Sequence, residues 1–442
     1  MDVTGNRERR VGFHTFGCKL NQFETEALAS AFRSQGFSIV AMGQEADAYV
    51  INTCTVTSRA DHKARAFIRA LARNRPRALL IVTGCSAQLE GQSLAALARN
   101  VFVVPQAEKA RLLDLPAVLA QAGNGRERFP TPGESISGAR PDPFSLTVGE
   151  HSFHTRAFLK VQDGCDSRCS YCRVPQARGP SVSLDAAEAA RRAAGLEELG
   201  YHEIVITGVN ISAYSSAGVR LPALLQRLLE ATGRARFRLS SLEPEAITES
   251  LAEVLSHPRI CPHFHIPVQS GADTILGRMN RHYQAGRVIE AVTLLRASKP
   301  DPFLAADIIV GFPGETAEEY GRTRRLVESA AFAALHVFPF SPRPGTAAAS
   351  LRPATPERVR SQRAREITAL GRRLSAAYAQ SWIGRDVDVL LEGRGGPEAR
   401  GVSGNYLKVE VARVPAAENA AGRIARARVT AEGSALFLSF AE

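Results

Sequence analysis

The chain has 442 residues and 45% hydrophobic content, enough for two or three domains that each bury an ordinary core. No run of about 18 uncharged apolar residues occurs, and Met1 to Arg10 has no apolar signal stretch, so a helical membrane span is excluded and a cytoplasmic protein expected. A net charge of +11 suits a polyanionic partner, and seven cysteines, an odd number, suit metal ligation better than a disulfide framework.

Residues 11–16 read as a buried strand ending at Gly17-Cys18, and Glu24 to Arg33 has helical periodicity. Residues 48–51 form a second strand that runs through Asn52-Thr53 to Cys54, and residues 78–82 a third that runs through Thr83-Gly84 to Cys85. Three strand–Cys–helix units in succession predict an open parallel sheet with right-handed crossovers. Loops at the carboxyl ends of such strands line one crevice, where Cys18, Cys54 and Cys85 are expected to converge on a metal cluster. Any one of them alone reads as a core cysteine. The helix after Cys54 carries Arg59, Lys63, Arg65, Arg69, Arg73, Arg75 and Arg77 against Asp61 alone, which fits a solvated face or a phosphate contact. Residues 1–123 are assigned to this domain, and the stretch 124–150, rich in Gly, Pro and Ser, to a linker.

Residues 157–161 form an apolar strand, followed by Cys165, Cys169 and Cys172 at CxxxCxxC spacing. Three thiols leave one iron of a cubane cluster open to a small molecule, whereas electron-transfer ferredoxins close all four positions. A zinc knuckle completed by His151 or His154 is the other reading, but the triplet matches none of the usual paired zinc spacings. Strands at 158–161, 204–206, 237–240, 263–266, 304–310 and 335–338 alternate with helical stretches such as 184–199 and 221–231. That predicts six βα units, a partial barrel over 151–380, with active residues in the loops after its strands. Thr207, Gly208 and Asn210 follow the second strand, Ser240 and Glu243 the third, Gln269 the fourth and Gly311 the fifth. The small residues suit close backbone approach to a cofactor and the polar ones hydrogen bonds to it; an ordinary turn is the plainer reading of each glycine. Cys261, with no second thiol nearby, is read as structural, and His263 and His265 as buried hydrogen-bonding residues.

A second basic run, from Leu351 to Gln380, holds seven arginines, Arg363 and Arg365 among them, against Glu357 and Glu366. Short strands at 386–391, 406–411 and 425–429 predict a small β-barrel over 381–442. From Gly384 onward eight basic and eight acidic residues balance, which argues against a strongly electrostatic grip on RNA there.

The segment Gly164 to Cys172, with Tyr171 before its last cysteine, closely resembles the radical S-adenosylmethionine (SAM) enzymes. Over most of its length the chain resembles the iron–sulfur methylthiotransferases. The matching stretches are Thr15 to Glu26, Asn52-Thr53-Cys54, Thr83-Gly84-Cys85, Thr207 to Ile211, Arg238 to Pro244, Pro267 to Gly271, Arg278 to Arg281 and Asp307 to Glu315. A departure is Arg178-Gly179-Pro180-Ser181-Val182-Ser183, where many relatives carry more arginine. The resemblance implies an α/β architecture of methylthiotransferase, radical SAM and TRAM-like domains. It also implies two 4Fe–4S clusters, one on Cys18, Cys54 and Cys85 and one on Cys165, Cys169 and Cys172. SAM would have its adenine at Tyr171 and its methionine end near Thr207-Gly208. An electron donor such as flavodoxin or ferredoxin is implied; no membrane partner is expected, and the chain is expected to be a monomer.

The residues after Cys18 are most similar to the branch acting on threonylcarbamoyl-adenosine in tRNA. Lys19, Asn21 and Gln22 would offer hydrogen-bonding groups to its carboxylate-bearing substituent, Asn21 as a helix cap being the plainer reading. Arg69, Arg73, Arg363 and Arg365 would hold the phosphates of the anticodon loop. The reaction implied is methylthiolation of carbon-2 of that adenosine at position 37. Isopentenyl-adenosine, a ribosomal-protein side chain, and a non-catalytic cluster-bearing RNA-binding role are the other readings.

Overall fold

The computed structural model describes residues 8–55, 57–121, 141–148, 153–392, 399–411, 422–432 and 435–439, so most of the expected linker, and His151, lie outside the described residues. Two compact units are present. The first comprises 1–153, 163–166 and 172–181; the second comprises 154–162, 167–171 and 182–442. Cys165 and Cys172 thus fall in the first unit and Cys169 in the second. No helix among the described residues is long and apolar enough to cross a membrane.

The first unit opens with β1 (Arg10–Thr15), α1 (Lys19–Ser34), β2 (Ser38–Val40), β3 (Ala48–Thr53), α2 (Ser58–Asn74), β4 (Leu79–Gly84), α3 (Cys85–Ala95), β5 (Val101–Val103) and α4 (Leu115–Gln121). Its sheet is parallel throughout, in the order β2-β1-β3-β4-β5. Every residue of β3 is buried, as a central parallel strand covered on both faces requires. Tyr49, Ile51, Leu80 and Val82 pack there with Ile68 and Leu71 of α2. The chain first steps outward from β1 to β2 and then returns to β3 on the other side. That reversal between β1 and β3 is the switch point where ligand crevices open in such sheets. Thr15 pairs with Asn52, and Thr53 with Gly84, so the segments just beyond them, carrying Cys18, Cys54 and Cys85, leave the same end of the sheet.

Further along come β6 (Ala157–Lys160), β7 (Gln162–Asp163), α5 (Val174–Arg178), β8 (Val182–Ser183), α6 (Ala186–Glu198) and β9 (Glu203–Thr207). The hairpin strands β10 (Ser215–Ser216) and β11 (Val219–Arg220) lead to α7 (Leu221–Ala231), β12 (Arg236–Leu239), α8 (Glu249–Leu255), β13 (His263–Gln269) and α9 (Asp273–Arg278). Next are α10 (Ala285–Ser298), β14 (Phe303–Val310), α11 (Ala317–Ala330), β15 (Ala334–Pro339) and α12 (Glu357–Gln380). The expected six strands are present, as two parallel three-stranded sheets, β12-β9-β6 and β13-β14-β15. Parallel bridges Phe237–Ile260 and Ser241–His265 join them in one arc.

The C-terminal strands β16 (Asp386–Glu392), β17 (Ala399–Ser403), β18 (Lys408–Val411), β19 (Ile424–Glu432) and β20 (Ala435–Ser439) close a five-stranded barrel. The sequence pattern indicates only three of them. Gly401 explains part of the difference: a Cβ there would stand 2.3 Å from Val389 Cγ1, so a residue that weakens the strand signal is required where β17 crosses β16. Two arginines tie this barrel to the arc. Arg236 donates to Asp388 O and Val402 O, and Arg238 to Gly404 O and Ser403 O, at 2.9–3.2 Å. Both also pair with the fully buried Glu203, at 2.7 and 2.6 Å.

Burial by itself would raise the Glu203 carboxyl, but Arg238 and Arg236 hold it down to about 2. Glu203→Gln leaves two buried guanidiniums short of a counter-charge and is expected to cost about 3–5 kcal/mol in denaturant titrations at neutral pH. A depressed carboxyl contributes its stability above its ordinary value of 4.5 and loses it toward about 2, so the gap between the variant and the parent protein should close across that window.

Candidate active site

Of the three N-terminal cysteines, Cys18 is exposed, and Cys54 and Cys85 are buried. Two glycines bring their loops together. Gly17 has φ +104°, and a Cβ on it would lie 2.6 Å from Cys54 Cβ; Gly84 has φ +100°, and a Cβ on it would lie 2.2 Å from Thr53 O. Only glycine fits either position without moving the neighbouring loop. Ser86 Oγ lies 2.8 Å from Cys54 O, fastening the third loop to the second.

Beneath this rim is a buried ionic network. Glu24, wholly buried, accepts from Lys109 Nζ at 2.5 Å and from both terminal nitrogens of Arg178 at 2.8 and 3.1 Å. Arg178 also donates to Asp163 Oδ1 at 3.0 Å and to Asn21 Oδ1 at 2.8 Å, and Lys109 to Asn52 Oδ1 at 3.0 Å. The cations Arg178 and Lys109 balance the carboxylates Glu24 and Asp163. Burial pushes the Cys85 thiol up, and the Arg178 charge works against that rise. Since α5 begins two residues after Cys172, Arg178 ties that cysteine's segment to α1, which begins directly after Cys18.

Asn21 differs from its expected role. It is wholly buried, with its amide donating to Phe16 O at 2.8 Å and Thr53 O at 3.1 Å and its oxygen taken by Arg178. It is therefore not available to a substrate substituent. Nor does it cap the helix, because Cys18 is the N-cap of α1. Lys19 and Gln22, one turn apart on that helix, are half-buried.

In the second unit Arg281 donates to Cys169 Sγ at 3.3 Å and pairs with Glu243, whose carboxyl burial pushes up to about 6 in spite of that partner. Tyr171 packs against a cluster that includes Ile275, Met279 and Phe312. Thr207 is buried at the end of β9. A Cβ on Gly208 would lie 2.9 Å from Gln162 O, and Gln162 Oε1 accepts from Asn210 N at 2.8 Å. The Asn210 side chain caps the turn at Ile211–Ala213. Ser240 is half-buried, and its N–H is taken by Ile206 O. Gln269 ends β13 with φ +62°. Gly311 differs from expectation: a Cβ there would meet Arg360 Cγ at 2.3 Å, so its glycine answers a packing demand rather than a cofactor's approach.

Sequence reasoning did not find the pairing of Asp307. His265 Nε2 and His336 Nδ1 both lie against Asp307 Oδ1, at 2.9 and 3.1 Å, and His265 Nδ1 is 2.7 Å from Ser241 Oγ. The two ring nitrogens converge on one oxygen rather than on a common empty point, so hydrogen bonds close this cluster. Burial would raise the Asp307 carboxyl, but the two imidazoles hold it down to about 2. A polar residue recurring inside otherwise apolar strands was the available signal. His265 is the hydrogen-bonding residue expected; His263 stacks on Phe303 and against Tyr406. Cys261 is buried beside Glu203.

On α2, Arg59, Lys63, Arg69 and Arg73 are exposed, while Arg65 pairs with Glu90 at 2.5 Å; just past the helix, Arg75 donates to Tyr49 Oη at 3.2 Å. On α12, Arg365, Arg372 and Arg373 are exposed. Arg363 corrects the expectation of a phosphate contact: it is buried on the face shared with Ile367 and Leu370, donates to Glu315 Oε2 at 2.5 Å and lies over the Tyr320 ring. The helical period turns 363, 367 and 370 inward together while 365 turns out.

Residues 10–105 match the uncharacterized protein family UPF0004, and residues 159–327 the radical SAM superfamily. The chain is 37% identical to the threonylcarbamoyladenosine tRNA methylthiotransferase MtaB of Treponema pallidum, across 96% of this chain and 99% of that one. The chain belongs to the MtaB family of tRNA methylthiotransferases. The MtaB of Bacillus subtilis is also 37% identical, over 86% of this chain and 84% of its own. A tRNA-2-methylthio-N(6)-dimethylallyladenosine synthase of Cereibacter sphaeroides is 34% identical over 96% of both. Among solved structures, the radical SAM methyltransferase TsrM of Kitasatospora setae, with cobalamin and a 4Fe–4S cluster bound, superposes with TM-score 0.53 at 15% identity, covering 78% of this chain and 77% of its own. That likeness concerns the fold. The enzyme is thus a radical SAM methylthiotransferase with a C-terminal five-stranded barrel.

Arg363→Ala leaves Glu315 buried without its partner and is expected to destabilise the enzyme by about 3–5 kcal/mol. Arg365→Ala, on the exposed face, should leave the denaturation midpoint where it was. Equal midpoints for the two variants would contradict this division of the helix.

Proposed function

We propose that the enzyme methylthiolates carbon-2 of threonylcarbamoyl-adenosine at position 37 of tRNA. It would hold one 4Fe–4S cluster on Cys18, Cys54 and Cys85 and a second on Cys165, Cys169 and Cys172. The observation that carries the two-cluster reading is the rim itself: three thiols leave one end of a parallel sheet, and glycines stand where a side chain would block the approach of their loops. The surroundings of the second triplet suit thiolate ligands, since Arg281 donates to Cys169 Sγ and the Val174 N–H to Cys172 Sγ at 3.4 Å. Such donors tune cluster sulfurs. The substrate reading rests on the MtaB relatives, 37% identical in two organisms.

When bound, the clusters and SAM supply the radical that no amino-acid base can replace and the sulfur to be inserted. The residues of this chain orient and shield. Arg178 and Lys109 offset thiolate charge below the first rim, and Arg281 does so at Cys169. Tyr171, Thr207, Gly208, Asn210, Ser240 and Gln269 are proposed to bind SAM. Glu243, engaged by Arg281, would act through that pair. The exposed cations Arg69, Arg73 and Arg365 would contact the anticodon-loop phosphates, with Lys19 and Gln22 near the rim. A cytoplasmic monomer fed by a flavodoxin or ferredoxin completes the proposal.

Anaerobic reconstitution should give about eight irons per chain, falling to about four in Cys18→Ala, Cys54→Ala or Cys85→Ala. Those variants should keep deoxyadenosine formation and lose methylthiolation; Cys165→Ala, Cys169→Ala and Cys172→Ala should lose both. Full product from the first set would sink the auxiliary cluster.

Charge reversal at Arg69 and Arg73 together should make tRNA binding less salt-dependent, the slope of log affinity against log salt falling by about 0.7–0.9 for each phosphate no longer neutralised. An unchanged slope would assign α2 to plain solvation. Nucleosides from a deletion strain decide the substrate. Loss of methylthio-isopentenyl-adenosine with the threonylcarbamoyl product intact would favour the activity named for the Cereibacter relative.

A further inference from the structure

We infer that His336, held by Asp307, is the specificity residue that receives the carboxylate of the substrate's threonylcarbamoyl group. This rests on the substrate reading above and names the group that would recognise its anionic end.

The orientation of His336 follows from strand alternation. Leu335 lies against α12, where a Cβ on Gly371 would stand 3.1 Å from Leu335 Cβ. His336 and Phe338 therefore share the opposite face of β15. Phe338 packs into the same apolar cluster as Tyr171, the aromatic of the cysteine loop. His336 pairs in register with Asp307 on β14. The charge of Asp307 reaches Glu243, which pairs with Arg281, and Arg281 donates to Cys169 Sγ. His336 thus stands two residues along the strand from the side chain that packs into the cluster of Tyr171.

The hydrogen-bond inventory decides what His336 can do. Arg281 is engaged by Glu243 and Cys169 Sγ, and His265 uses both ring nitrogens, on Ser241 and Asp307. His336 spends only Nδ1, on Asp307, and its side chain is 57% exposed. Its Nε2 has no protein partner among the described residues. With Nδ1–H donating to the Asp307 carboxylate, the ring is held in orientation and Nε2 is left for a further partner. With both ring nitrogens protonated, an anion arriving at Nε2 would meet a charge-assisted donor whose positive charge Asp307 already balances. An isopentenyl substituent offers no such group and gains nothing from Nε2, so the preference comes from the pairing the carboxylate makes there.

The test uses the full-length reconstituted enzyme and three tRNAs that differ only at position 37: threonylcarbamoyl-adenosine, glycinylcarbamoyl-adenosine, which keeps the carboxylate but lacks the hydroxyl and methyl, and unmodified adenosine. His336→Phe should raise KM for both carboxylate-bearing tRNAs by about 10–100-fold, the range for losing a hydrogen bond to a charged group. It should narrow their kcat/KM advantage over unmodified tRNA by the same factor. His336→Gln, which keeps a donor, should recover part of that advantage. Iron content and melting temperature at the parental level show that each variant folded. If His336→Phe leaves the advantage intact, or shifts only the ratio between threonyl and glycinyl substrates, the carboxylate assignment is overturned. If the parental enzyme itself shows no preference for the threonylcarbamoyl tRNA, the substrate reading fails first, and that outcome is distinct.

Discussion

Glu24 is a carboxylate sealed from water, and the cysteine rim depends on what surrounds it. A buried charge of this kind is tolerated only with full compensation, because desolvation costs several kcal/mol per ion. Here the compensation comes from four parts of the chain: Lys109 and Gln106 beyond β5, Arg178 at the end of α5, and Asn21 and Asn52 through their own bonds to those cations and to the loops. Except for Lys109 and Gln106, each of these residues lies in a segment next to a cysteine. Cys18 precedes the helix of Asn21 and Glu24, Cys54 follows the strand of Asn52, and Cys172 precedes the helix of Arg178. Satisfying one carboxylate therefore fixes three cysteine-bearing segments together.

The second unit uses buried charge in three different ways. Glu203 is a structural counter-ion: two arginines drive it toward the low end of the carboxylate range and clamp the C-terminal barrel by way of its backbone carbonyls. Asp307 is also held low, but by imidazoles, one of which remains exposed. Glu243 moves the other way, since burial outweighs its single arginine. Carboxyls driven apart in this manner serve different roles: the arginine of Glu243 also donates to Cys169 Sγ, and one imidazole of Asp307 is exposed.

The basic surface is narrower than a count of charges suggests. Of the seven cations on α2 and just past its end, Arg65 and Arg75 are tied to neighbours, and on α12 Arg363 is internal. What remains exposed lies on one side of each helix, an arrangement that suits a backbone of phosphates better than a diffuse cloud. The closed C-terminal barrel, with its balanced charge, is held to the arc by arginine–carbonyl bonds rather than by a charged face.

Much of this was legible in the sequence. Short continuous apolar runs ending in cysteine specified a parallel sheet and the end of it from which Cys18, Cys54 and Cys85 leave, because backbone hydrogen bonding leaves few other solutions. Strand spacing likewise announced the six-stranded arc. The partners were not legible, since ion pairs such as Arg178–Glu24, 154 residues apart, leave no mark of spacing. Asn21 and Arg363 looked like surface recognition groups and proved internal, because a polar residue's type does not say which face of a helix meets the core. β17 was hidden by a glycine at a tight crossing. His336 carried no motif at all. Local periodicity determines which elements form and where their ends lie; which side chains then share a charge is decided only when distant strands come into register.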